Sequence, residues 1–183
     1  HVTAGWTMAG LTAFRLVWGL IGSRHARFSA FVRTPAEAWR YLCGLLRGAP
    51  EPHVGHNPAG AWAILGMLAL TTAGALSGWS TFNEWGGHAV EELHELLVHL
   101  LLLLVGVHVA GVLVGSLVQR QNLARAMLSG RKQGPPNAAL QSSRRGLALL
   151  LLVCVVAFWT WQWQTVSLAF SEGGPARMGR HGD

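Results

Sequence analysis

Residues 90–117 read VEELHELLVHLLLLLVGVHVAGVLVGSL, and from 96 to 119 the chain carries no Asp, Glu, Lys or Arg. A helix needs about 20 apolar residues to cross the ~30 Å hydrocarbon layer of a bilayer. This stretch is long enough, and its leucine run at 100–104 offers water no polar face. Glu91, Glu92 and Glu95 stand at its start, where the positive end of the helix dipole favours carboxylates. Three histidines, His94, His99 and His108, lie on this segment. Ionisable side chains within a membrane span are costly and by default functional.

Three further segments reach spanning length: 1–22, 58–79 and 146–168. Of the 183 residues, 51% are hydrophobic and 12% charged, about half the charge of a soluble domain. The expected fold class is therefore all-α and integral to the membrane, a bundle of four spans. Asn57-Pro58 reads as an N-cap followed by proline at the first helical position. Trp159, Trp161 and Trp163 close the last span as an aromatic belt. Arg15 falls inside the first span and should face inward, away from lipid.

Charge orients the spans. Arg24, Arg27, Arg33, Arg40 and Arg47 fill the 23–52 loop, and Arg120, Arg125, Arg131, Lys132, Arg144 and Arg145 fill the 118–145 loop, whereas 80–89 holds Glu84 and no cation. By the positive-inside rule both basic loops are cytoplasmic and the C-terminal tail is outside. Within the first loop, Thr34-Pro35-Ala36-Glu37 predicts a capping box with proline at the first helical position. Trp39, Leu42, Leu45 and Leu46 then form an apolar stripe beside Arg40 and Arg47. This reads either as a short helix on the membrane surface or as an ordinary helical loop.

The net charge of +6 could suggest nucleic acid, but the arginines separate apolar segments and form no basic domain. There is no CxxCH and no CxxC, which excludes covalent c-type haem and a paired-cysteine zinc site. Cys43 and Cys154 fall in or near apolar segments and read as free thiols. The chain opens at His1 directly into an apolar helix, so further sequence upstream is expected.

His94 and His108 are 14 residues apart. At about 100° and ~1.5 Å per residue they share a helix face to within about 40°, with a rise of roughly 21 Å. His99 points about 140° away from His94, and His88 is expected outside the helix. Neutral imidazole suits the axial positions of b-type haem iron. One helix supplies one ligand per haem, so each histidine needs a partner from another helix. His1, at the outer end of the first span, is level with His94. On its face lie Gly5, Thr12, Arg15 and Gly19, and Gly5 would let a flat macrocycle approach the backbone. Arg15 lies at the depth of His108, where it would meet a haem propionate or a quinone; a structural salt bridge or snorkelling is the competing role. Proton relay or metal transport remains an alternative for the histidines, though a cation transporter would add Asp or Glu at mid-membrane depth, and none is there. His53 and His56, before the second span, read as surface loop or as lining of a quinone pocket. His25, His99 and His181 read as structural or solvated.

Several stretches together resemble one family. They are Phe14-Arg15-Leu16-Val17-Trp18-Gly19, Ser23-Arg24-His25-Ala26-Arg27-Phe28, Gly55-His56-Asn57-Pro58, Glu92-Leu93-His94-Glu95, His108-Val109-Ala110-Gly111, and the run from Arg120 to Ser129-Gly130-Arg131-Lys132. Residues 1–132 resemble the bacterial cytochrome b561 / nickel–iron hydrogenase b-type cytochrome family. The resemblance implies a four-helix core with two haems b, one ligated by His1 and His94, the other by His108 and a histidine on a helix preceding His1. It implies electron transfer between the quinone pool and a redox partner, a hydrogenase-type subunit or a c-type cytochrome, in the bacterial inner membrane. The expected organisation is a haem-binding membrane domain over 1–132, a cytoplasmic linker over 133–145, an added helix over 146–168 and a periplasmic tail over 169–183. A non-redox membrane anchor for a partner enzyme is the alternative function.

Overall fold

The computed structural model describes residues 1–23, 26–49, 57–120, 122–123, 125 and 145–172, with side chains in the last segment described from Gly146 to Thr165. Every regular element among them is helical. They are α1 (Val2–Ile21), α2 (Phe28–Phe31), α3 (Pro35–Leu46), α4 (Pro58–Phe82), α5 (Gly87–Val118) and α6 (Arg145–Glu172). Pro58–Phe82, Gly87–Val118 and Gly146–Thr165 are long and apolar enough to cross a membrane. The fourth expected span, α1, has 20 residues, but Thr3, Thr7, Thr12 and Arg15 dilute its apolar character.

The chain divides into two compact units, Met8–Leu140 and His1–Thr7 with Gln141–Asp183. In the first unit α4 and α5 form an antiparallel hairpin. Its turn needs left-handed backbone at Glu84 (φ 59°), Gly86 (φ 87°) and Gly87 (φ 56°). Gly86 is required twice over, because a Cβ there would also run into Val90. Contacts of Gly78 with His94 and of Gly66 with Leu104 fix the register. That register carries His108 to about the level of Ala61 and Trp62.

Local chemistry starts the helices as expected. Asn57 Oδ1 accepts a hydrogen bond from the Gly60 amide at 2.6 Å, with Pro58 in the first turn. Thr34 and Glu37 complete the reciprocal capping box, at 3.3 Å and 3.1 Å. Two expectations about α5 are corrected. The helix begins at Gly87, so His88 lies inside its first turn and pairs with Glu91 (3.6 Å) and Glu92 (3.4 Å). The carboxylates consequently sit in the second and third turns, and the first turn holds none. The physical reason is the glycine pair, which turns the chain early and lets the helix run 32 residues. At about 1.5 Å per residue that is roughly 48 Å, well beyond the hydrocarbon layer. Trp159, Trp161 and Trp163 stand at the end of the apolar span Gly146–Thr165, while α6 itself continues to Glu172.

Buried hydrophobic side chains gather at one end of the hairpin: Phe31, the α3 residues Ala38, Tyr41 and Leu45, Ala61 in the first turn of α4, and Leu123 beyond α5. Elsewhere Leu76 of α4 and many leucines and valines of α5, among them Leu102, Leu103, Val107 and Leu113, are exposed, as a lipid-facing surface requires.

Candidate functional site

His94 projects from α5 onto α4. Its Nδ1 lies 3.0 Å from the Gly74 carbonyl oxygen and 3.0 Å from Ser77 Oγ. Ser77 Oγ in turn donates to the same carbonyl at 3.1 Å. A carbonyl can only accept, and the serine hydrogen is already committed to it, so Nδ1 must carry the imidazole proton. The lone pair then resides on Nε2, the nitrogen chemically equipped to hold a metal. Gly78 makes this seat: a Cβ there would stand 2.9 Å from His94 Cε1. Ser77 is buried.

One helical turn further along the same face of α4, Thr81 Oγ1 is buried without a hydrogen-bond partner. A buried hydroxyl left unmatched is costly, and its position beside the His94 seat suits a carboxylate such as a haem propionate. Gly74 has open space where a Cβ would stand. The donor set here, a tautomer-locked imidazole with a spare hydroxyl and an open glycine, fits a haem.

His108 is half-buried, as His94 is, whereas His99 is exposed and its Nδ1 bonds back to the Glu95 carbonyl at 2.9 Å. The 100° phase thus separates the two half-buried imidazoles from the exposed one. His1 and Gly5 belong to the other compact unit. There His1 is exposed, its carbonyl accepts from the Gly5 amide at 2.9 Å, and a Cβ on Gly5 would meet nothing within 4 Å. In that unit Trp159 of α6 donates to Thr7 Oγ1 of α1 at 2.9 Å, so the last helix packs beside the start of α1. His53 and His56 lie outside the described residues, as do His25 and His181.

Arg15 is held at a corner. Its Nη1 donates to the Ala26 carbonyl at 3.0 Å, and its guanidinium stands 5.2 Å from the Phe28 ring centroid and 5.8 Å from that of Phe31. Gly19, one turn on, lies so close to the Phe28 ring that no side chain fits. Sequence reasoning pointed to an inward Arg15 but not to this aromatic clamp, whose signal is the Phe28/Phe31 pair that follows Arg24 and Arg27. Gly74, Ser77, Gly78 and Thr81 were missed altogether. Their only sequence signal is a run of small residues at helical spacing on the span opposite His94.

The fold and the site define a class: an all-helical, multi-pass membrane protein with imidazoles at two depths of one span. Residues 1–130 match the family model of prokaryotic cytochrome b561, and the chain belongs to that family. It is similar to a protein described as "Probable Ni/Fe-hydrogenase B-type cytochrome subunit" from Bradyrhizobium diazoefficiens, 25% identical over 73% of this chain and 65% of the relative. Proteins of the same description from Azotobacter vinelandii (26% identical; 71% and 65% covered) and Rhizobium leguminosarum bv. viciae (26%; 72% and 66%) are similar too. The chain thus spans about two thirds of the length of these relatives. No solved structure matches it.

Proposed function

We propose that this protein is the b-type cytochrome subunit through which a hydrogenase-type redox partner exchanges electrons with the quinone pool of the bacterial inner membrane. The observation that carries this reading is the lock on His94, whose Nδ1–H is held by Gly74 and whose lone pair is thereby assigned to Nε2. Membership in a b-type cytochrome family and the hydrogenase-associated description of the relatives support the same reading.

Two haem b sites are assigned. His94 holds the outer one, with Thr81 offering its hydroxyl to a propionate; His1 and Gly5 enter this reading through the family resemblance alone. His108 holds the inner one. When bound, haem iron supplies reversible one-electron exchange between its ferric and ferrous states. The protein's part is to fix the imidazoles, exclude water behind apolar side chains and hold the two sites at separate depths. Arg15 and His56 are assigned to the cytoplasmic end, where quinone would dock; Arg15 also clamps the corner beyond α1. The basic loops face the cytoplasm and the C-terminus the periplasm.

A visible spectrum tests the proposal. The purified protein should show a reduced α-band of bis-histidine haem b, oxidised on adding a quinone analogue. Purified protein that takes up no haem would sink the reading and leave a membrane anchor.

A further inference from the structure

Helix α3 lies across the basic end of the α4/α5 hairpin. Near its start, Trp62 Nε1, one turn into α4, donates to the Arg33 carbonyl at 3.0 Å. At its middle, the Tyr41 hydroxyl accepts from Gln119 Nε2, at the C-cap of α5, at 3.2 Å. These two bonds hold the helix level with the ends of two membrane spans. Ala38, Tyr41 and Leu45 are buried on the hairpin side.

The rest of α3 is divided by chemistry. Trp39, Leu42 and Leu46 are 68%, 40% and 86% exposed. They share a strip about 100° around the helix from the buried one. Arg40 and Arg47, both exposed, lie on a third strip roughly 110° further round. A water-facing loop helix has no reason to expose a tryptophan and two leucines together. A helix lying in the interface has one: its apolar strip enters the acyl boundary while its cations remain among the headgroups.

We propose that this outer surface of α3 is a binding surface for anionic phospholipid, with Trp39, Leu42 and Leu46 seated in the acyl region. Arg33, Arg40 and Arg47 take the lipid phosphates, which charge complementarity favours over a zwitterionic surface. The proposal is independent of haem binding.

The test uses the full chain in nanodiscs of phosphatidylcholine, with and without phosphatidylglycerol. Spin labels are placed singly at Leu42→Cys, Leu46→Cys and Ala36→Cys in a Cys43→Ser, Cys154→Ala background. Labels at 42 and 46 should collide mainly with oxygen, and the label at 36 with a water-soluble nickel chelate. A label at 46 that prefers nickel overturns the proposal. So does one shielded from both reagents, which would point to a protein partner or a second copy. Separately, Arg40→Gln and Arg47→Gln should each lower the preference of bound lipid for phosphatidylglycerol over phosphatidylcholine roughly fivefold, read by native mass spectrometry. Both substitutions sit on an exposed strip and should leave circular dichroism unchanged. An unaltered lipid preference overturns the anionic assignment and the proposal with it.

Discussion

Nδ1 of His94 lies 3.0 Å from the carbonyl oxygen of Gly74 on the neighbouring helix, and this contact decides which imidazole nitrogen keeps its lone pair. Ser77 shares the same proton and steadies the ring. Removing an outer partner of a ligating histidine typically costs about 10–100-fold in metal affinity. Ser77→Ala leaves the carbonyl in place, so a loss of about tenfold, at the low end of that range, is expected. Haem transfer to apomyoglobin measures it, and an unchanged transfer rate would mean that Ser77 does not tune the His94 imidazole.

Glycines 74 and 78 should respond oppositely to the same change. Gly78→Ala places a methyl group 2.9 Å from His94 Cε1, and such crowding costs about 1–3 kcal/mol. Gly74→Ala meets nothing within 4 Å and gains up to about 1 kcal/mol of helix propensity. Thermal melting should separate the two.

His94→Ala should remove one haem and His108→Ala the other, each leaving its counterpart spectroscopically intact. Redox titration of the α-band would reveal which component vanishes. Loss of the same component in both variants would disprove the two-site assignment.

Arg15→Met removes a charge-assisted hydrogen bond to Ala26 and the contacts with Phe28 and Phe31. The expected cost is about 2–3 kcal/mol of stability, with both haem bands retained. A missing band at unchanged melting temperature would instead assign Arg15 to a propionate.

Burial raises the Tyr41 phenol above its usual range, and the hydrogen bond from Gln119 opposes that only in part. The folded state therefore favours the neutral phenol. Its contribution to stability is full below the ordinary tyrosine value of about 10 and is lost as pH rises beyond it. Melting followed into alkaline pH should fall more steeply for the native protein than for Tyr41→Phe.

Much of the fold was legible in the chain. Length and the absence of charge marked α4, α5 and α6, Asn57-Pro58 and Thr34-Pro35 marked two helix starts, and helical phase separated His94 and His108 from His99. All of these are local properties, set within a few residues by hydrogen bonding or by a fixed 100° step. The seat of His94 was not legible, nor the inward turn of Leu45 away from Trp39, Leu42 and Leu46, nor the early start of α5 that takes in His88. In water, polarity tells a helix which face turns inward. In a bilayer, lipid and protein interior are equally apolar, so sequence cannot say which leucine meets a neighbour and which meets lipid. That choice falls to close packing at small residues, and Gly78 beneath the His94 ring is a choice only the tertiary structure makes.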